Sequence, residues 1–74
     1  MREIFVLRYK NLDMIEAFEN HDDAVDAGAE YIVEIGTADG LSEDKLNKEV
    51  SAFIKYKDCE IVELYCCEVK EARQ

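Results

Sequence analysis

The sequence predicts an α+β fold: a small two-layer domain in the order β-β-α-α-β, with a three-stranded sheet and two helices on one of its faces. Three observations carry this. Apolar residues alternate with period two over Arg2 to Lys10, the spacing changes to three and four from His21 onward, and a run rich in β-formers returns between Cys59 and Val69. The 74 residues leave room for a single domain, 1–74. A chain of this size buries only about 60% of the surface its unfolded form exposes, so its core is expected to supply only about 3–5 kcal/mol.

In the first strand Phe5, Leu7 and Tyr9 form one apolar face, while Ile4 and Val6 sit on the other between Arg2 and Arg8. Asn11, Leu12 and Asp13 supply turn chemistry, and Met14 to Glu19 returns as a hairpin. The first helix is expected over His21 to Ile35, capped by Asn20 and closed by Gly36, with Asp22 and Asp23 at the positive end of its dipole. Its apolar stripe runs through Ala24, Ala27/Gly28, Tyr31 and Ile35, widened by Val25, Ala29 and Ile32. The second helix begins at Ser42, with Leu41 placed to staple onto Leu46, and with Leu46, Val50, Phe53 and Ile54 facing the core. In the closing strand, Cys59 to Val69, residues Val62, Leu64 and Cys66 share one face and Ile61, Tyr65, Cys67 and Val69 the other. Residues 71–74 read as a frayed tail.

Two helices can cover only one face of a three-stranded sheet. Ile4, Val6, Ile61, Tyr65 and Cys67 are therefore expected to be left for a second chain, making the protein a homodimer or a partner-binding surface.

Composition excludes several function classes. With Lys+Arg 9 against Asp+Glu 18 the net charge is −9, which argues against direct nucleic-acid binding. No apolar run reaches the roughly 18 residues of a membrane span, and Ile4 to Leu7 is too short for a secretory signal core, so a cytoplasmic, membrane-free protein is expected. The odd cysteine count, Cys59, Cys66 and Cys67, argues against a disulfide framework, and their placement along one strand argues against a metal site. His21 has no nucleophile beside it, and Gly28, Gly36 and Gly40 match no phosphate-cradling loop. No catalytic residue, cofactor or metal is expected, and the chain is read as a non-enzyme.

Charge placement is the informative feature. Asn11 to Asp44 contains eleven acids and no Lys or Arg, while the flanks hold all nine basic residues and seven acids. On the first helix Asp23, Asp26, Glu30 and Glu34 follow three-four-four spacing and make one stripe, with no lysine at i,i+4 to neutralise it. Successive members stand about 4.5–6 Å apart along the axis. DNA carries one charge per about 3.4 Å per strand, so mimicry of phosphates would need neighbouring acids as well. The candidate partner surface is accordingly Glu19, Asp22, Asp23, Asp26, Glu30, Glu34 and Asp39, directed at a protein with a basic face.

In its size, its acidity, its hairpin, its Asn20-His21-Asp22-Asp23 helix start running into Ala24-Val25-Asp26-Ala27, and its closing strand, the chain resembles small accessory proteins of bacteriophages and mobile elements, among them anti-restriction and anti-CRISPR inhibitors. The resemblance implies a class of role, stoichiometric binding to a host protein, and no particular site residues.

Overall fold

The described residues form three strands and two helices in the expected order: β1 (Arg2–Tyr9), β2 (Met14–Phe18), α1 (His21–Ala38), α2 (Glu43–Tyr56) and β3 (Val62–Val69). The computed structural model describes residues 2–69; the expectations for the 71–74 tail and for the side chain of Val69 lie outside what it describes. The sheet is antiparallel with strand order β2-β1-β3, which makes β1 the central strand. Its position follows from composition, because β1 carries apolar side chains on both faces. β1 and β2 are joined through Lys10–Asp13, where Asp13 takes a left-handed conformation at φ 53° and Leu12 N–H donates to Tyr9 O at 3.1 Å.

α1 starts where its cap chemistry says it should. Asn20 Oδ1 accepts from the amides of Asp22 and Asp23 at 2.8 and 3.2 Å. Its end differs from expectation: the helix runs past Gly36 to Ala38, and Gly40, at φ +78°, is the left-handed residue that closes it. Leu41 N–H donates to Gly36 O at 2.9 Å and Gly40 N–H to Thr37 O at 3.1 Å, the paired bonds of a Schellman ending. Gly36 serves packing instead, since a β-carbon there would overlap the side chain of Leu46 on α2. The buried line of α1 is Ala24, Gly28, Ile32 and Gly36; the first three belong to the expected stripe, while Tyr31 and Ile35 flank the line half-buried.

Ser42 caps α2 by accepting from Lys45 N–H at 3.2 Å. Phe53 is its one fully buried side chain, whereas Ile54, expected in the core, is 49% exposed. Each residue turns a helix by about 100°, and with Phe53 seated over Gly28 and Leu7, Ile54 is carried round to solvent. α2 ends at Lys57, which adopts a left-handed φ of 60°.

β3 begins at Val62, three residues later than expected, because a turn intervenes. Cys59 N–H donates to Val62 O at 2.9 Å, and Asp58 bridges to Glu63. The turn breaks the alternation that would have put Cys59 and Ile61 on the outer face. Cys59 is buried in the core, and Ile61 packs against that core rather than joining the dimer face for which it was expected.

The core lies between the helices and one sheet face: Leu7, Tyr9, Val62 and Leu64 below, Ala24, Ile32 and Phe53 above, with Cys59 at the side. α1 lies across all three strands, while α2 packs on α1, its backbone nearing the sheet at β3 and its Phe53 side chain reaching in to Leu7 of β1.

Candidate functional site

Two surfaces hold the residues singled out in the sequence. The first is the outward side of α1. Its buried line faces α2 and the sheet, so Asp23, Asp26, Glu30 and Glu34 emerge on the opposite side, all exposed. Ala29 and Val33 lie among Asp26, Glu30 and Glu34, and Val33 is 48% exposed, so the acidic strip also offers apolar contact. The helix is held at its start and near its middle. At its start the His21 ring meets Phe5 edge-on, centroids 5.2 Å apart, and further along Tyr31 O–H donates to Asn11 Oδ1 at 2.8 Å while its ring packs edge-on against Tyr9.

The seven expected acids do not form one cluster. Glu19 precedes α1 and pairs with Arg2 at 3.7 Å, and Asp22 sits in the first turn, 3.5 Å from His21. Asp39 is the C-cap residue of α1, at the opposite end of the helix from Asp22. At 1.5 Å per residue it stands about 24 Å along the axis from Asp23. The surface that the fold brings together is thus Asp23, Asp26, Glu30 and Glu34, with Glu19 and Asp22 beside its start and Asp39 apart.

The second surface is the sheet face turned away from the helices. Register places Ile4 opposite Cys67 and Val6 between Ala17 and Tyr65, so four of the five residues expected there share this face. Ile15 and Ala17 of β2 join them by the same register, a contribution the sequence reading did not contain. Two ion pairs frame the patch: Arg2–Glu19 at 3.7 Å and Arg8–Glu63 at 3.3 Å, the latter between direct cross-strand partners. Exposure within the patch is uneven. Val6 is only 8% exposed, because a small side chain on the central strand is flanked by both neighbours, whereas Tyr65 is 41% and Ile15 63% exposed.

Perturbed titrations are few and lie outside both surfaces' centres. Burial, and then the 2.6 Å hydrogen bond that Tyr9 O–H donates to Glu16, push the Tyr9 phenol well above its ordinary range. The hydrogen bond from Cys66 Sγ to Glu3 Oε2, 3.0 Å, is the main cause that pushes the Cys66 thiol up to about 11. The Lys10 ammonium is held above its usual value chiefly by Asp58, to which it donates at 2.7 Å while also donating to Cys59 O at 2.7 Å. Among the described residues no group of three or more His, Cys, Asp or Glu side chains is arranged to hold a metal ion. The three thiols are separated, Cys59 in the core, Cys66 on the helix side of β3 and Cys67 on the outer face. No helix among the described residues is long and apolar enough to cross a membrane.

Comparison with protein-family models, with curated proteins and with solved structures finds no match for this chain. What the fold and the two surfaces define is a small α+β protein with one acidic helix face and one apolar sheet face framed by ion pairs.

Proposed function

We propose that this protein is a non-enzymatic binding factor that acts in the cytoplasm and engages a basic, nucleic-acid-handling host protein through the outward face of α1. This is the role of a small phage or mobile-element inhibitor of host defence. The observation that carries it is the run Asp23, Asp26, Glu30, Glu34, exposed along one helix face within a stretch from Asn11 to Asp44 that contains no Lys or Arg. The test is capture from host lysate by the wild-type chain and by a variant with all four residues changed to Lys, followed by mass spectrometry. The wild type should retain proteins with basic surfaces and release them as salt rises, and the variant should retain none of them. Capture that survives both the reversal and high salt would overturn the electrostatic reading.

A second reading has its own support. Ile15 and Tyr65, 63% and 41% exposed, stand on a sheet face whose framing charges cancel, two arginines against two glutamates. In a chain of net charge −9 such a neutral apolar face suits a second copy of itself, with the acids only solubilising.

A further inference from the structure

The two edges of the sheet are not equivalent. Leu64 N–H of β3 points away from β1 and donates to Lys57 O at 2.7 Å, and Val62 O accepts from Cys59 N–H at 2.9 Å. The α2–β3 turn therefore closes the first half of that edge. On the other side, no backbone hydrogen bond among the described residues reaches β2 except those of its pairing with β1.

Hydrogen-bond parity identifies the open groups. In an antiparallel ladder successive residues direct N–H and C=O alternately to one neighbour and to the other. Because Leu64 bonds outward, its partner Leu7 turns its amide toward β2, and Glu16, paired with Leu7, bonds inward. Ile15 and Ala17 are then the residues of β2 whose N–H and C=O face solvent.

We infer that the open edge of β2 accepts an extended basic segment of the partner protein as a fourth strand. The inference rests on the acidic-surface reading and supplies its mode of recognition. Charge selects the occupant. Asp13, Glu16 and Glu19 lie along or beside β2, Glu16 accepting from Tyr9 O–H and Glu19 pairing with Arg2, and α1 packs across the same side of the sheet as Glu16 with its acidic strip turned outward. A second copy in the fully overlapped antiparallel register would set Glu16 against Glu16 and Asp13 against Glu19 of the other chain, and like charges directly opposite destabilise a ladder. The favoured segment alternates. Its Lys or Arg residues lie on the helix side beside Glu16, and its apolar residues on the other side extend the Ile15, Ala17 and Val6 patch.

The experiment uses the full chain and a synthetic peptide of about eight residues alternating Lys and Val, with a Glu-Val peptide as counterpart; eight residues is an ordinary strand length. The Lys-Val peptide should slow hydrogen exchange at the Ile15 and Ala17 amides by about tenfold or more, and the Glu-Val peptide should leave them unchanged. Ala17→Pro removes one outward donor while sparing the ladder with β1, and should weaken binding by about tenfold. Methylating alternate amide nitrogens of the peptide gives a readout that leaves the protein unaltered: one parity should abolish binding and the other preserve it.

Undiminished binding to Ala17→Pro and tolerance of both methylation patterns would overturn strand addition. If that binding were still lost on changing Asp23, Asp26, Glu30 and Glu34 to Lys, the acidic-surface reading would stand alone. If the Lys-Val peptide gave no protection at Ile15 and Ala17, strand addition would fall, and the acidic-surface reading would fall with it only if lysate capture also survived the charge reversal and high salt. Protection of Ile15 and Ala17 that appears without peptide and grows with protein concentration would identify self-pairing and also overturn the proposal.

Discussion

The ring of Phe53 occupies the space that a β-carbon on residue 28 would need. Built on Gly28, such an atom would come within 2.6 Å of Phe53 Cε2 and 3.1 Å of Leu7 Cδ1. α1, α2 and the central strand converge at that point, and Phe53 and Leu7 are both 0% exposed there. Gly28→Ala should therefore destabilise the fold although alanine is the better helix former. The gain of about 1 kcal/mol in propensity is outweighed by an overpacking cost of about 1–3 kcal/mol, and urea denaturation should show the loss. Pairing it with Phe53→Leu should recover part of that loss, giving a coupling energy of opposite sign.

Lys57 ends α2 in the left-handed region at φ 60°. That conformation costs a residue with a β-carbon about 1–2 kcal/mol and glycine almost nothing. Lys57→Gly also loses the 2.6 Å bond from Lys57 Nζ to Ile54 O and loosens the unfolded chain. The net expectation is a gain of about 0.5 kcal/mol, read as a rise in Tm of about 2–4 °C.

Asn20→Ala should cost about 1 kcal/mol, because the amides of Asp22 and Asp23 lose their common acceptor. Circular dichroism should report fraying at the start of α1 before global unfolding. The same variant should loosen the Phe5–His21 contact, seen as a shift in the His21 ring resonances.

The Cys66 thiol, raised to about 11 mainly by its hydrogen bond to Glu3, should alkylate slowly at pH 8. A raised value means that the neutral thiol predominates below about pH 11, and the reactive thiolate accumulates only as pH rises through that range. Glu3→Gln removes the charged acceptor and should bring the thiol back toward its ordinary value of 9.0. In a Cys67→Ser background, iodoacetamide labelling at pH 8 should then accelerate by about tenfold to a hundredfold, since each unit changes the thiolate fraction about tenfold well below the pKa. Equal rates for the two variants would show that the hydrogen bond does not control the thiol.

Tyr65→Glu places a charge on the outer sheet face, on β3 opposite Val6. If two copies associate there, sedimentation should show a dimer for the wild type and a monomer for the variant. Tyr65 is 41% exposed, so the fold itself should tolerate the change. Val6→Glu is the harsher probe, because Val6 is 8% exposed even in the single chain.

Local chemistry made much of this structure readable in advance. Asn20 and Ser42 announced their helices because a capping side chain acts on amides two or three residues away. The even positions of β1 announced the outer face because a strand alternates by geometry alone. The departures all come from contacts distant in sequence. Gly36 has the look of a helix terminator until Leu46 is packed against it, and Ile54 looks like a core residue until Phe53 has taken the space. Ile61 changed sides because the Cys59–Val62 turn interrupts a period that composition cannot show being interrupted. The candidate surfaces divide in the same way. The stripe of Asp23, Asp26, Glu30 and Glu34 follows from helical spacing, but Asp39 fell away once α1 proved longer. Ile15 and Ala17 joined the outer face only through the hairpin register.

The closed half-edge of β3 has a consequence for stoichiometry. A sheet that grows by adding strands into a fibre must offer a receptive edge on both sides, so that each newcomer can be both donor and acceptor. Here the α2–β3 turn engages Val62 O and Leu64 N–H, and Cys66 and Glu68 continue that edge among the described residues. The two edges are thus unequal: the start of β3 is already occupied by its own chain, which confines any further strand on that side to the short stretch at Cys66 and Glu68 and disfavours repeated edge-to-edge growth.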